Sequence, residues 1–210
     1  MESIVRPFRI AQLLRTWALL LGVVLSVFAL PSCSHYDELV VKDQEAQRRW
    51  ADVESNLQRR ADLVPNLVET VKASGKLEKD ILEGVTKARA DATAMKVDEN
   101  VLTDPELMKK FNEAQGKLHN EISRLLVSVE KYPDLKSTQG FRDLMVQLEG
   151  TENRLLRARE KYNEAVADYN GALAKVSGQV TNKVTGKAFK PREYFKADAA
   201  AAGPAPKVSF

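Results

Sequence analysis

From Phe141 to Val176, apolar or small side chains return at alternating steps of three and four residues. The series runs Phe141, Leu144, Leu148, Thr151, Leu155, Ala158, Tyr162, Ala165, Tyr169, Ala172 and Val176. A stripe with that period keeps one face of a helix turned toward its neighbours over a long distance. Such a segment demands partner helices. Three further stretches repeat every three to four positions and supply them. One runs from Tyr36 to Val71 through Leu39, Ala46, Trp50, Val53, Leu57, Val64 and Leu67. A shorter one runs from Leu77 to Met95, and a third from Leu107 to Val129.

The interruptions have local causes. Gly75 suits a helix end that needs the left-handed conformation. Asp104-Pro105 suits a helix start, because the residue before proline avoids helical angles and proline needs no donor at the first position. Pro133 stops the third helix, and Ser137 or Thr138 can cap the fourth. Apart from residues 97–103 the connections are short, so successive helices are expected to run antiparallel. The predicted fold is all-α: an elongated, antiparallel, up-and-down four-helix bundle with long first and last helices. A last helix over 139–177 would be about 58 Å long at 1.5 Å per residue. Residues 33–177 make up this bundle. Residues 178–196 read as an irregular or loosely helical segment, basic and aromatic, that lays Phe189, Tyr194 and Phe195 back onto the bundle. The Ala- and Pro-rich residues 197–210 read as a disordered tail.

The N-terminal region follows a different rule. Trp17 to Leu30 is apolar except for Ser26, Arg6, Arg9 and Arg15 precede it, and Leu30-Pro31-Ser32-Cys33 closes it. A basic start, an apolar core shorter than the roughly 20 residues of a membrane span, and a small residue before the cut read as a secretory signal peptide, here residues 1–32. The closing tetrapeptide resembles the lipobox of bacterial lipoproteins. That resemblance implies removal of residues 1–32 and acylation (diacylglyceryl and palmitate-type chains) of the Cys33 thiol. The rival reading is an uncut apolar helix that anchors the chain. Ser34 after Cys33 resembles the sorting choice for the periplasmic face of the outer membrane, should the cell have two membranes. Cys33 is the chain's one cysteine, so no internal disulfide forms and packing alone must hold the fold.

Residues 1–32 hold three of the 32 basic and one of the 29 acidic residues, which leaves 29 and 28. A balance so even gives no electrostatic case for nucleic acid.

The stretch from Trp50 to Val68, with Arg59-Arg60, Asp62-Leu63 and Pro65-Asn66-Leu67, resembles the signature of the LemA family. Tyr132-Pro133, Leu135, Thr151-Glu152-Asn153, Arg157, Arg159, Tyr162-Asn163 and Tyr169-Asn170 extend the match. The resemblance implies a membrane-attached helical bundle that faces away from the cytoplasm. This chain departs from the family in carrying a lipobox where many relatives have a transmembrane anchor.

Pro65 lies within the first helical pattern, where it removes the amide that would bond the Ala61 carbonyl. One reading is a kink that bends the helix around the bundle. The other is a polar partner surface built from the freed carbonyl with Arg59, Arg60, Asp62, Pro65 and Asn66. Tyr162-Asn163 and Tyr169-Asn170 repeat seven apart, as core rings with hydroxyls at the rim or as a recognition stripe. Arg154, Arg157, Arg159 and Lys161 read as a solvated surface. His35 and His119, the only histidines, do not amount to a metal site, which needs three or four converging ligands.

No Gly-rich phosphate loop, His-Glu-x-x-His, Gly-x-Ser-x-Gly or Cys/His pairing is present. The expectation is therefore a protein without catalytic activity or cofactor, tied to a membrane and holding another envelope or membrane protein. A spacer rod that touches envelope polymer or lipid headgroups is the alternative, and an enzyme whose site is shared with another chain is a third.

Overall fold

The computed structural model describes residues 5–73, 78–186 and 189–196, with the side chains of 5–16, 18–34 and Val184 outside that description. Every regular element among the described residues is helical. In chain order these are α1 (Val5–Lys72), α2 (Lys79–Ala94), α3 (Glu99–Thr103), α4 (Pro105–Val129), α5 (Pro133–Lys136), α6 (Gln139–Ala174) and α7 (Val176–Thr185). The expected four elements are thus seven. Two of the extra helices fall in connections read as loops, and the third, Val176–Thr185, begins at the predicted end of the last helix and runs into the segment read as irregular or loosely helical. Gly75 and the tail 197–210 lie outside the described residues.

The caps explain several boundaries. The Asp104 carboxylate accepts from the amides of Glu106 and Leu107 at 2.8 and 3.1 Å, with Pro105 in the first turn. Of the two candidates for the last long helix, Thr138 is the cap, its hydroxyl accepting from the Phe141 amide. The loop 97–103 forms α3 because Asp98 caps it, accepting from the amides of Asn100 and Val101. Val101 and Leu102 then turn inward.

The heptad stripe ends sooner than its spacing predicts. Lys175 is extended (φ −63°, ψ 153°) and breaks α6 from α7. Gly178 then packs beneath the end of α6, where a Cβ would stand 2.4 Å from the Ala172 carbonyl oxygen. Only glycine permits that approach. Val176 is consequently 80 % exposed rather than a member of the seam.

Contacts ascend α1 as they descend α6: Trp50 meets Tyr162, and Arg60 meets Glu152. Lys117 of α4 pairs with Asp91 of α2 at 3.4 Å. The core falls into three clusters along this axis. The distal one joins Leu63 to Val71 of α1 with aliphatic residues of α2 and α4 and with Phe141 and Leu148 of α6. The middle one gathers Trp50, Phe111, Tyr162 and Phe195. The third holds Leu39, Tyr169, Ala172, Leu173 and Phe189, with Tyr36 and Val40 packed against it.

Candidate functional site

The five residues of the proposed partner surface divide in two. Arg59, Asp62, Pro65 and Asn66 are exposed. Arg60 is not on that surface: it is 3 % exposed and points into the bundle. The carbonyl freed by Pro65 is not available to a partner either, because Arg89 of α2 donates its Nε to Ala61 O at 2.7 Å. α1 passes through Pro65 without a break. The structure therefore replaces the missing backbone bond from a neighbouring helix.

Arg60 occupies a polar layer between the distal and middle clusters. Its Nη2 donates to Gln115 Oε1 at 2.6 Å, and its Nη1 lies 3.5 Å from Glu152 Oε1. Gln115 passes the layer on to α2, donating through Nε2 to Ala92 O at 3.1 Å. That carbonyl belongs to the last turn of α2, where intrahelical partners run out. His119 Nδ1 stands 3.7 Å from Glu152 Oε2. Burial pulls the Arg60 pKa down, and the nearby Glu152 charge resists it. Burial acts to raise Glu152, but the His119 and Arg60 contacts outweigh it and hold the carboxyl below its usual range. In sequence Arg60 reads as part of the partner surface, and no local pattern marks Gln115.

A second constellation lies at the other end of α6. Residues 189–196 run along that helix in the opposite direction, and side-chain amides hold their backbone. Asn163 donates to Phe195 O at 3.0 Å and accepts from Phe195 N at 2.9 Å. Asn170 does the same for Arg192, at 2.8 and 2.9 Å. Asn182 of α7 repeats the pairing with Phe189. Between them the hydroxyls of Tyr162 and Tyr169 donate to Glu193 O and Lys190 O. The Glu193 amide donates to Leu102 O of α3 at 2.7 Å.

The register has a simple origin. Seven residues of α-helix advance about 10.5 Å, and three residues of extended chain advance about 10 Å. Asn163 and Asn170 are seven apart, and Phe195 and Arg192 are three apart. The Tyr-Asn repeat is thus both of the things the sequence allowed: its rings are core, at 0 and 1 % exposure, and its polar ends recognise a segment of the same chain. Burial, with Asp43 nearby, pushes the Tyr169 hydroxyl up to about 12, and burial raises Tyr162 as well. Both remain neutral donors at ordinary pH.

Side chains of the segment add to this. Arg192 is 3 % exposed and reaches Asp43 of α1 at 2.8 Å, with its guanidinium over the Tyr169 ring. Phe195 packs edge-on to Trp50, and Phe189 packs edge-on to Tyr36. Arg154, Arg157 and Lys161 are exposed as expected, whereas Arg159 lies over Phe195. His35 is half-exposed beside Glu38. Among the described residues no group of three His, Cys, Asp or Glu side chains is placed to hold a metal ion. Among them, too, no helix is long and apolar enough to cross a membrane.

A family model described as LemA matches residues 49–210, which takes in the polar layer and the docked segment. The chain belongs to the LemA family. Two proteins of Paramagnetospirillum magneticum named magnetosome protein MamQ are each 28 % identical over 197 residues, covering 85 % of this chain and 72 % of theirs. Magnetosome protein MamQ of Magnetospirillum gryphiswaldense is 28 % identical over 176 residues, covering 76 % of this chain and 64 % of its own. The matched region of this LemA-family chain includes every residue of the α6 Tyr-Asn repeat and its docked partner.

Proposed function

We propose that this LemA-family chain is a non-catalytic, membrane-tethered interaction module that holds an envelope or membrane protein near the lipid surface. In this reading residues 1–32 are a signal peptide and Cys33 carries the lipid. The site is the outside of the cytoplasm, at the periplasmic face of the outer membrane where two membranes exist. The four long helices α1, α2, α4 and α6 act as one up-and-down antiparallel bundle, with α3, α5 and α7 as connectors and cap.

The observation that carries the proposal is the continuity of α1. The helix runs unbroken from Val5 to Lys72, through Cys33 and into the packed bundle. Whatever fixes its N-terminal part to a membrane, an acyl chain or an uncut apolar helix, is joined to the bundle by rigid helix rather than by loose linker. Confinement of this kind raises the effective concentration of a partner and strengthens weak contacts without new ones. Arg59, Asp62 and Asn66 share one exposed face of α1 beside Pro65 and are the proposed contact.

Mass spectrometry of the mature N-terminus tests the tether, with acylated Cys33 as the first residue expected. Cross-linked capture from solubilised membranes tests the contact. One membrane-protein partner is expected, lost with Arg59→Ala, Asp62→Ala and Asn66→Ala combined, while the melting temperature holds. Capture unchanged by that triple variant would sink the contact surface.

A further inference from the structure

Every Asp and Glu is missing from residues 169–192, although the mature chain is almost charge-balanced. That run holds Lys175, Lys183, Lys187, Lys190 and Arg192. Arg192 is spent on Asp43 inside the fold, but Lys175, Lys183 and Lys190 are exposed. Most of the run forms α7 and its flanks. Val176 and Val180 are four residues apart, a spacing that places both on one side of the helix. Val176 is 80 % and Val180 51 % exposed. Among the described residues, the outer side of α7 thus presents Val176 and Val180 between lysines, each with half or more of its surface uncovered.

The place of α7 in the fold indicates what that side meets. Gly178 seats α7 under the last carbonyls of α6, so α7 closes one end of the bundle. At that end Tyr36, Leu39 and Val40 of α1 belong to the same cluster as Phe189, Tyr169 and Leu173. These α1 residues lie only one to two turns beyond Cys33 and the apolar stretch Trp17–Leu30. Of the exposed valines, Val127 belongs to α4, beside the distal cluster at the opposite end.

We propose that α7 is a lipid-contacting foot: Val176 and Val180 enter the headgroup–acyl boundary of the bilayer, and Lys175, Lys183 and Lys190 meet anionic headgroups. Apolar residues on one side with lysines at the margin are what an interfacial helix requires. Each lysine near an anionic surface strengthens attachment about fivefold. The inference rests on the membrane tether proposed above. It adds that the bundle is seated on the lipid at a second point, which fixes its orientation.

The test uses the full chain with Cys33→Ser, held in vesicles through its apolar segment, with one fluorescent label at Val180→Cys or, for comparison, Val127→Cys. Vesicles of phosphatidylcholine and phosphatidylglycerol with brominated chains are the probe. The protein is expected to float with the vesicles. The label at 180 should be blue-shifted and quenched, and the label at 127 should not. Lys175→Glu with Lys183→Glu, or vesicles of phosphatidylcholine alone, should remove most of the quenching. Flotation with label 180 as unquenched as label 127 overturns the foot and leaves the tether intact. Failure to float overturns the foot, because the unacylated chain then finds no hold on anionic lipid; the acyl tether is judged separately by the mass of the mature N-terminus. A label at 180 that is equally shielded in detergent without lipid would show that a second copy covers α7, which also overturns the foot.

Discussion

The two ends of the bundle solve the same problem with different materials. At the distal end α1 and α6 are roofed by α2 and α4, and the cluster from Leu63 to Leu148 is closed mainly by aliphatic side chains. Toward the N-terminal part of α1, among the described residues, none from α2 or α4 joins the cluster of Leu39, Tyr169, Leu173 and Phe189. There a short extended segment takes the place of two helices. A helix brings its own hydrogen bonds, so its neighbours need supply only apolar surface. An extended segment carries unsatisfied amides and carbonyls, which must be paired when buried. The asparagines and tyrosines of α6 are the physical consequence.

The comparison breaks most visibly at Trp50, which touches Phe111, Tyr162 and Phe195 and so joins bundle to segment. Trp50→Ala is expected to cost about 3–5 kcal/mol, as for a large buried ring. Chemical denaturation should show the loss, and hydrogen exchange should rise on 189–196 as well as on the helices. Damage confined to the helices would mean that the segment is held independently of that ring.

The polar layer at the boundary of the two regions comes next. Removing one member of a buried ion pair costs roughly 3–5 kcal/mol, and replacing both with apolar residues is often neutral or favourable. Glu152 keeps 31 % of its side chain exposed, so Glu152→Leu is expected at or below the lower end. Arg60→Met with Glu152→Leu should recover much of that. A double variant worse than the single would show that the layer contributes stability beyond the pairing. The same carboxylate predicts an acid limit. Its folded pKa lies below the ordinary carboxylate value of the open chain. Its contribution is present above that value and fades as pH falls through the folded one. Glu152→Leu should therefore flatten the acid side of a stability–pH profile.

A narrower test isolates the docked segment. Asn170→Asp keeps the shape and the acceptor but loses the donor to Arg192 O, leaving two oxygens opposed. A loss of about 1–3 kcal/mol is expected. Exchange should rise on 189–196 first, with α2 and α4 protected as before. Equal loosening at both ends would show that the segment and the distal core form a single cooperative unit.

How much of this the sequence reveals follows from the same contrast. Helical character, the helix start at Asp104-Pro105, a cap at Ser137 or Thr138 and most of the seam are legible, because they depend on spacing within one element. The end of α6 is not, since Val176 keeps the heptad step and only the fit of Gly178 under Ala172 O breaks it. Arg60 is misread because its basic side chain neighbours exposed Arg59, and its acceptors are 55 and 92 residues away. The docked segment left a trace that composition hides: a seven-residue Tyr-Asn period facing a three-residue Phe-x-x-Arg-x-x-Phe period, equal in length only once one is helix and the other extended.

The smallest expected effect concerns Pro65. An interior proline costs about 3 kcal/mol in a plain helix, part of it the orphaned carbonyl four residues back. Here Arg89 already bonds that carbonyl, so the two residues are coupled although one is on α1 and the other on α2. Pro65→Ala restores an amide that must compete with Arg89 for Ala61 O, and should stabilise by clearly less than the plain-helix figure. Arg89→Ala alone strands the carbonyl and should cost about 1–3 kcal/mol. In the Pro65→Ala background the same change should cost much less, because the helix now supplies the bond. A double-mutant cycle on melting data measures the difference directly. Strict additivity would mean that the 2.7 Å contact carries no energy of its own, and that the proline is tolerated through packing of Leu63, Val64 and Leu67 alone.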